Sequence, residues 1–236
     1  MPAITLPGAA SAPELTAHLA SPPVGAGPWP GIVVLHEIFG LTDDIRQQAD
    51  RLAGAGYLSV APDLYTAGGA LRCLKGTLSA LTRGAGPAVD DIEAVRSWLA
   101  GRDDCTGKVG VVGFCMGGGF ALLLAAQGFD AAAPNYGPLP RGPERVLAGA
   151  CPIVASFGAK DRGLRGAAGK LEAVLGGLGV EHDVKEYPGA GHSFLNRHNL
   201  GPLGVLERVG GFSYDQAAAQ DAWARILRFF DTHLQG

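Results

Sequence analysis

The amino-acid sequence predicts an α/β fold, with a mainly parallel twisted sheet and helices on both faces. Short apolar runs of strand length alternate with longer amphipathic segments, which is the pattern of a parallel sheet covered on both sides. The 37 glycines and 16 prolines fall mainly between these runs, where turns are needed, and form no low-complexity tract. We therefore expect one α/β domain over residues 1–236.

In the first part of the chain, turn residues separate well-defined apolar runs. A Gly/Ser/Pro turn divides two opening strands, and a Pro/Gly-rich connector leads into the third. Thr42 is a suitable N-cap for a helix, and Pro62 ends the strand that follows this helix. The predicted elements are the strands Ala3–Leu6, Glu14–Ala20, Gly31–His36 and Tyr57–Ala61 and the helix Asp43–Gly54.

Beyond residue 86 the alternation of strand and helix continues. The segment Leu64–Gly86 allows either a short helix or a mobile loop, because its Gly/Ala-rich patches lack a clear period. After it, Ile92, Val95 and Leu99 recur at helical spacing. The predicted helices are Ala88–Ala100, Met116–Gln127, Arg165–Leu178 and Ser213–Leu234, and the predicted strands are Lys108–Val112, Ala131–Ala133, Pro152–Phe157 and Glu181–Tyr187.

Charge and composition exclude several classes of function. A formal charge of −3, with Lys and Arg scattered along the chain, argues against a nucleic-acid partner. The uncharged stretch Val109–Phe129 begins as a strand and is rich in glycine, so we expect neither a membrane span nor membrane binding. The opening residues lack the pattern of a signal peptide, and the four cysteines form no CxxC pair. These features predict a reduced, cytoplasmic protein.

Cys115 stands at the corner of a predicted strand–turn–helix. Glycines lie two positions on either side of it, at Gly113 and Gly117. A nucleophile elbow needs small residues there, because the strained corner brings the flanking backbone segments close together. The helix N-terminus beside the sulfur also favours a thiolate. The alternative is a buried structural cysteine in a glycine-rich turn.

Two further residues follow strands in the order that a catalytic triad on this kind of sheet requires, nucleophile, acid and then histidine. Asp161 comes just after the strand Pro152–Phe157, and His192 comes just after the strand Glu181–Tyr187. Because the carboxyl ends of parallel strands meet at one edge of a sheet, we expect both residues to lie near Cys115.

Other histidines and aspartates are weaker candidates on position. Three histidines fall in strands or near a helix end, Asp63 is expected to fix a turn before the nucleophile, and Asp130 begins a strand at the opposite edge. His198 lies in a loop six residues after His192 and remains a rival. The three structural histidines are His18, His182 and His233.

With these residues in hand, the chain resembles the dienelactone hydrolase family. The resemblance is carried by five motifs that span most of the chain, and the GxCxGG elbow combined with HEIFG upstream is specific. It implies an α/β-hydrolase fold and hydrolysis of carboxylic esters or lactones. The motifs are His36-Glu37-Ile38-Phe39-Gly40, Ala61-Pro62-Asp63-Leu64-Tyr65, Gly113-Phe114-Cys115-Met116-Gly117-Gly118, Lys160-Asp161 and Gly191-His192-Ser193-Phe194.

The resemblance also implies roles for single residues. It implies a Cys115–His192–Asp161 triad with a covalent acyl-enzyme, and an oxyanion hole formed by the backbone N–H groups of Ile38 and Met116. It places Glu37 beside the thiol, where a carboxylate opposes thiolate formation until substrate binding displaces it to take the proton. No metal or organic cofactor is expected.

Substrate recognition is the part in which this chain departs from the family. Lactone-specific members bind a substrate carboxylate with two arginines, one of them four residues after the histidine. Here Asn196 occupies that position and Arg197 follows, whereas Arg72 and Arg83 are candidates for the other arginine. Phe39 and Tyr136 are further candidates for the substrate pocket.

Two other classes stay open beside a small-molecule ester or lactone hydrolase. One is a thioesterase or acyltransferase on the same fold. The other is a non-catalytic, thiol-sensing relative in which Cys115 is only an exposed thiol. The presence of both His192 and Asp161 favours catalysis, because a thiol sensor needs no orienting acid. For Cys73, Cys105 and Cys151 we expect no catalytic role.

Overall fold

The structure is a computed structural model that describes residues 3–197 and 213–235. Eight strands form one sheet, in the order β1-β2-β4-β3-β5-β6-β7-β8. The pairs β1/β2 and β2/β4 are antiparallel, and all other neighbours are parallel. The strands are β1 Ala3–Pro7, β2 Glu14–Ala20, β3 Trp29–Leu35, β4 Leu58–Pro62, β5 Cys105–Phe114, β6 Ala131–Asn135, β7 Ile153–Gly158 and β8 His182–Tyr187.

Helices cover both faces of this sheet, so the predicted fold class is confirmed. Alternate residues of the central strands belong to two separate apolar clusters, because successive side chains of a strand point to opposite faces. Helices α1 and α7 pack on one face, and α2, α3, α4 and α6 pack on the other. The helices are α1 Asp43–Gly54, α2 Ala70–Arg83, α3 Pro87–Ala100, α4 Met116–Leu124, α5 Pro143–Val146, α6 Ala167–Leu178 and α7 Gln216–Leu234.

Several predicted boundaries differ from those of the structure. The segment whose structure was left open contains α2, and the short helix α5 was not expected. Helix α4 ends at Leu124 because the following turn tightens, with Gln127 N bonded to Leu124 O at 2.8 Å and Gly128 at a φ of 84°. Helix α1 has the predicted bounds, and Thr42 Oγ1 accepts from Ile45 N as an N-cap does.

Candidate active site

Cys115 forms a sharp corner between β5 and α4. Its φ of 53° and ψ of −114° are unusual for a residue with a side chain. The corner is held by backbone hydrogen bonds on both sides, from Cys115 N to Asn135 O at 3.1 Å and from Gly119 N to Cys115 O at 3.0 Å. The sheet and the helix together therefore support a strained backbone that a flexible loop would relax.

The glycines flanking Cys115 allow backbone segments to approach closely. A Cβ at Gly113 would lie 2.0 Å from Gly117 O, and a Cβ at Gly117 would lie 2.2 Å from Leu35 O. The first contact packs the elbow against itself, and the second packs it against the end of β3. Consequently Met116, at the start of α4, lies beside the turn that contains Ile38.

His192 and Asp161 are joined by a short hydrogen bond. His192 Nδ1 lies 2.5 Å from Asp161 Oδ2, and Asp161 Oδ1 accepts from Gly163 N at 2.9 Å. Burial opposes ionisation of Asp161, but its bond to His192 and the backbone N–H donors outweigh this effect and hold the pKa of Asp161 below its ordinary value. An ionised Asp161 fixes the imidazole with its proton on Nδ1, so that Nε2 is a proton acceptor.

The two loops that carry this pair are packed together. Lys160 N donates to Ala190 O at 2.9 Å, and a Cβ at Gly158 would lie 2.3 Å from Gly191 O. Both loops follow parallel strands, β7 and β8, at the same edge of the sheet as the elbow. The ring of Tyr136, which follows β6, lies 5.3 Å from the His192 ring.

Backbone strain is concentrated around these groups. Among the described residues, the non-glycine positions with positive φ are Cys115, Tyr136 and Ser193. Each comes directly after a strand or beside His192, and each is held by tertiary contacts. Strain of this kind persists only where the surrounding structure fixes it, and it clusters at functional sites.

Glu37 is buried at the end of β3, with 3% of its surface exposed. Ser193 Oγ donates to Glu37 Oε1 at 2.5 Å. Burial raises the pKa of Glu37 to about 8; the Ser193 hydroxyl opposes the shift, and the charge of Asp44 adds to it. At neutral pH most of the Glu37 carboxyl is therefore protonated.

Cys115 is a resting thiol in this environment. Burial raises its pKa to about 12, with further contributions from Glu37 and Asp161, although the Met116 N–H stabilises the thiolate. The helix N-terminus thus acts in the expected direction, but burial and the carboxyl groups outweigh it. The side chain is partly exposed, which keeps the sulfur accessible.

The candidate substrate residues divide into exposed and buried groups. Phe39 is 39% exposed, and Arg72 and Arg83 are exposed on α2. Tyr136 and Asn196 are fully buried, and the Tyr136 hydroxyl donates to Asn196 Oδ1. The structure therefore brings these two together beneath the site rather than on its surface.

Asp44 connects the histidine loop to α1, a link that the sequence analysis missed. Its carboxylate accepts from Asn196 Nδ2 at 2.5 Å and from Arg197 N at 2.9 Å. Gln48 Nε2 donates to both Asp44 and Leu195 O, each at 3.3 Å. Ser193 was also missed as a partner of Glu37; the only sequence signal for it was its place after His192.

The weaker candidates have other partners. Asp63 Oδ1 accepts from Tyr65 N at 2.9 Å, as expected for a turn, and Asp130 Oδ2 accepts from Val109 N at 2.7 Å. His198 lies outside the described residues. The histidines in strands and near the helix end lie close to carboxylates, in the pairs His18–Asp50, His182–Glu172 and His233–Glu181.

Comparison with known proteins settles the family. The family model for the dienelactone hydrolase family matches residues 15–234. This chain belongs to the dienelactone hydrolase family. The resemblance found from the motifs is thereby confirmed, and so is the expected enzyme class, a hydrolase acting on carboxylic ester bonds.

Individual relatives cover nearly the whole chain. A candidate carboxymethylenebutenolidase from Yersinia pestis is 30% identical over 93% of this chain and 84% of its own length. One from Methylorubrum extorquens is 30% identical over 88% of this chain and 74% of its own. The crystal structure of a candidate dienelactone hydrolase from Klebsiella pneumoniae is 27% identical, covers 97% of this chain and 98% of its own, and superposes with a TM-score of 0.80.

Within 3–197 and 213–235, no cluster of three or more His, Cys, Asp or Glu side chains has an arrangement that would hold a metal ion. Over the same ranges, no helix has the length and apolar character needed to cross a membrane.

Proposed function

We propose that this hydrolase cleaves carboxylic esters and lactones through a Cys115–His192–Asp161 triad and a covalent acyl-enzyme. The observation that carries the proposal is the 2.5 Å bond between His192 Nδ1 and Asp161 Oδ2 beside the strained elbow of Cys115. Family membership supports the ester or lactone bond as the target, and relatives named as carboxymethylenebutenolidases support a lactone among the substrates.

Acylation begins with transfer of the Cys115 proton to His192 Nε2. The sulfur attacks the carbonyl carbon, and the C=O electron pair moves to oxygen. The backbone N–H groups of Ile38 and Met116 then donate to this oxyanion. Its collapse expels the leaving-group oxygen, which takes the proton from His192 and leaves a thioester on Cys115.

Deacylation uses water in the same geometry. His192 removes a proton from water, and the resulting hydroxide attacks the thioester carbonyl. The same two N–H groups stabilise the second oxyanion, and the departing Cys115 sulfur recovers its proton from His192. Asp161 remains ionised throughout and stabilises the imidazolium. The cycle uses only side chains, backbone groups and water.

We propose that burial keeps Cys115 in its thiol form between turnovers and that Glu37 reinforces this form when its carboxyl group is ionised. With a pKa of about 8, only about a tenth of Glu37 is ionised at pH 7, so His192 rather than Glu37 is the main proton acceptor in the resting site. Displacement of Glu37 into water would lower its pKa and let it accept the thiol proton, as the family resemblance implies. A thiol held in this way resists oxidation better than a constitutive thiolate.

We also propose that recognition does not depend on a substrate carboxylate at Asn196. The Asn196 amide nitrogen is bound to Asp44, and its oxygen is bound to the Tyr136 hydroxyl. Both ends of the amide are therefore engaged within the protein. Arg197, the next residue, stacks its guanidinium 4.2 Å from the Tyr214 ring. A substrate range that includes uncharged aryl esters and lactones fits this arrangement.

The location proposed for this chemistry is the reducing cytoplasm. All four cysteines fall in the described part of the chain, and all four are unpaired thiols. Such thiols persist where glutathione and thioredoxin keep them reduced.

Turnover of p-nitrophenyl acetate by a Cys115→Ala variant tests the proposal. We expect kcat/KM to fall by at least about 1,000-fold, because no other group replaces the nucleophile. Cys151→Ala is the matched control: Cys151 is also partly buried, and burial likewise raises its pKa to about 12, but it lies away from the elbow. Cys151→Ala should keep the wild-type rate.

The covalent intermediate is sought by rapid acid quench and mass spectrometry of the peptide that contains Cys115. One acetyl group on this peptide, absent from Cys115→Ala, supports the mechanism. Equal turnover by Cys115→Ala and the wild type would overturn it. A screen of lactones, aryl esters and acyl thioesters, with and without an alcohol or amine acceptor, then separates hydrolysis from thioester specificity and acyl transfer.

A further inference from the structure

The motif Asp63-Leu64-Tyr65 follows β4, and its side chains take no part in the proposed acylation and deacylation steps. Its loop lies beside the turn after β3, because β3 and β4 are neighbouring parallel strands. Tyr65 is 97% buried, and its hydroxyl donates to Ile38 O at 3.1 Å. The same hydroxyl oxygen lies 3.8 Å from Met116 Sδ. One side chain therefore touches both residues whose N–H groups we assign to the oxyanion hole.

His36 is fully buried, and its ring binds backbone groups of both the loop after β4 and the turn after β3. Its Nε2 accepts from Leu64 N at 3.1 Å, and its Nδ1 lies 2.6 Å from Glu37 O. Burial lowers the pKa of His36, although the Glu37 carbonyl and the charge of Asp63 oppose the shift. Because Nε2 accepts the Leu64 N–H, it carries no proton, so the ring is neutral and Nδ1 carries the proton and donates to Glu37 O.

This bond fixes the direction of the Ile38 N–H. The carbonyl of Glu37 and the N–H of Ile38 belong to one planar, trans peptide group, so they point in opposite directions. A donor that holds the Glu37 oxygen therefore holds the whole plane and aims the N–H away from His36. It also polarises the peptide and makes the N–H a stronger donor.

The two rings support each other. The His36 and Tyr65 rings lie 4.9 Å apart in an edge-to-face arrangement, with 61° between their planes. Gly40, at a φ of 82°, packs against the Tyr65 ring, where a Cβ would lie 3.2 Å from Cδ2. Three contacts therefore hold residues 36–40. The His36 ring binds the Glu37 carbonyl, the Tyr65 hydroxyl binds the Ile38 carbonyl, and the Tyr65 ring packs against Gly40.

We propose that His36 and Tyr65 are positioning residues that hold the Ile38 and Met116 N–H groups in the geometry of the oxyanion hole. The inference rests on the proposed function, because it assigns a purpose to groups that matter only if an oxyanion forms. Neither side chain needs to touch the substrate: Tyr65 acts through the Ile38 carbonyl and the Met116 side chain, and His36 acts through the Glu37 carbonyl.

Tyr65→Phe is the principal test, because it removes the hydroxyl and keeps the ring. We expect kcat for p-nitrophenyl acetate to fall about tenfold with little change in KM, less than the 100- to 1,000-fold loss on removing an oxyanion donor itself. An aldehyde inhibitor, which forms a tetrahedral adduct with the thiol, should bind about tenfold more weakly. Alkylation of Cys115 by iodoacetamide should stay within twofold of wild type, because this displacement develops no oxyanion.

His36 is tested by a pair of variants. His36→Asn can keep an N–H donor near the position of Nδ1, whereas His36→Leu cannot. We therefore expect His36→Asn to retain several-fold more turnover and inhibitor affinity than His36→Leu. Tyr57→Phe is the matched control, because Tyr57 is another buried tyrosine whose hydroxyl donates to a carboxylate, Asp231 Oδ1, at 2.6 Å. It should leave all three readouts unchanged.

Two results would overturn the inference. One is wild-type kcat and inhibitor affinity in Tyr65→Phe. The other is a parallel loss of turnover, alkylation and melting temperature, which would make Tyr65 a purely structural residue. Failure of the proposed function is seen separately, as turnover retained by Cys115→Ala and no acetylated Cys115 peptide.

Discussion

Glu37 and Asp91 are two carboxylates buried to a similar extent, with 3% and 0% of their surfaces exposed. Asp91 lies on α3, and its Oδ1 accepts backbone N–H bonds from Ala9 and Ala10, each at 2.9 Å, and from Ser11 at 3.4 Å. Glu37 receives the Ser193 hydroxyl instead, and the nearby charge of Asp44 disfavours its ionised form.

The difference shows that the hydrogen-bond donors around a buried carboxyl group determine whether it stabilises the fold. Three N–H groups bind Asp91 Oδ1 and let it join α3 to the loop between β1 and β2, while Oδ2 is buried without a hydrogen-bond partner among the described residues. Glu37 keeps an unfavourable desolvation energy, and this energy appears as a pKa of about 8 near the Cys115 thiol. We expect Asp91 to contribute to stability and Glu37 to oppose it.

The largest effect is expected from Glu37→Gln on the pH dependence of stability. The folded pKa of about 8 lies above the ordinary glutamate value of 4.5, so the folded protein binds more protons than the unfolded chain between these values. Wild-type stability should therefore fall, relative to Glu37→Gln, as pH rises from 5 to 8. The full difference is on the order of 4 kcal/mol. Urea unfolding at pH 5, 7 and 9 measures it.

Glu144→Gln is the control, because it makes the same substitution at an exposed position. Its stability should follow that of the wild type at every pH. If Glu37→Gln also follows the wild type, Glu37 does not store desolvation energy, and its contrast with Asp91 fails.

The second-largest effect is expected at Asp91, where the substitution should lower stability rather than raise it. Asp91→Ala leaves three backbone N–H groups without their acceptor, and we expect the free energy of unfolding to fall by about 2 kcal/mol. Because β1 and β2 lie at the far edge of the sheet from β5, kcat/KM should be unchanged at temperatures where the variant is folded. A loss of activity without a loss of stability would contradict the structural role.

The sequence alone was sufficient to predict the positions of the groups that lie at strand ends. Cys115 could be found because the glycine spacing of an elbow is local, and Asp161 and His192 because each follows a strand directly. Helix α1 could be bounded because its cap, Thr42, is a neighbour in the chain. Signals of this kind need no knowledge of how distant segments meet.

Other features depend on contacts that no local pattern encodes. Asp44 and Asn196 are 152 residues apart, and Glu37 and Ser193 are 156 apart, so neither pair leaves a periodic signal. Helix α2 could not be bounded from the sequence because its N-cap is Gly69, which makes no side-chain capping bond, so no local signal marks its start.

The smallest effect is expected from Ser193→Ala, which removes a hydroxyl donor that moderates the pKa of Glu37. The Ser193 hydroxyl lowers the pKa of Glu37, so its loss should raise this pKa further. Alanine has a Cβ as serine does, so the backbone strain at a φ of 57° is the same in the variant and in the wild type. The reporter is the rate of Cys115 alkylation by iodoacetamide as a function of pH.

In the wild type, ionisation of Glu37 should hold back alkylation above about pH 8, because the new charge disfavours the thiolate. Dividing each rate by that of Glu37→Gln, in which this ionisation is absent, cancels the titration of other groups. The ratio should bend near pH 8 in the wild type and at a higher pH in Ser193→Ala. A bend at the same pH in both would show that the hydroxyl does not stabilise the Glu37 anion. Burial and the charge of Asp44 would then raise the pKa of Glu37 without opposition from this hydroxyl, and its contrast with the three donors of Asp91 would be still greater.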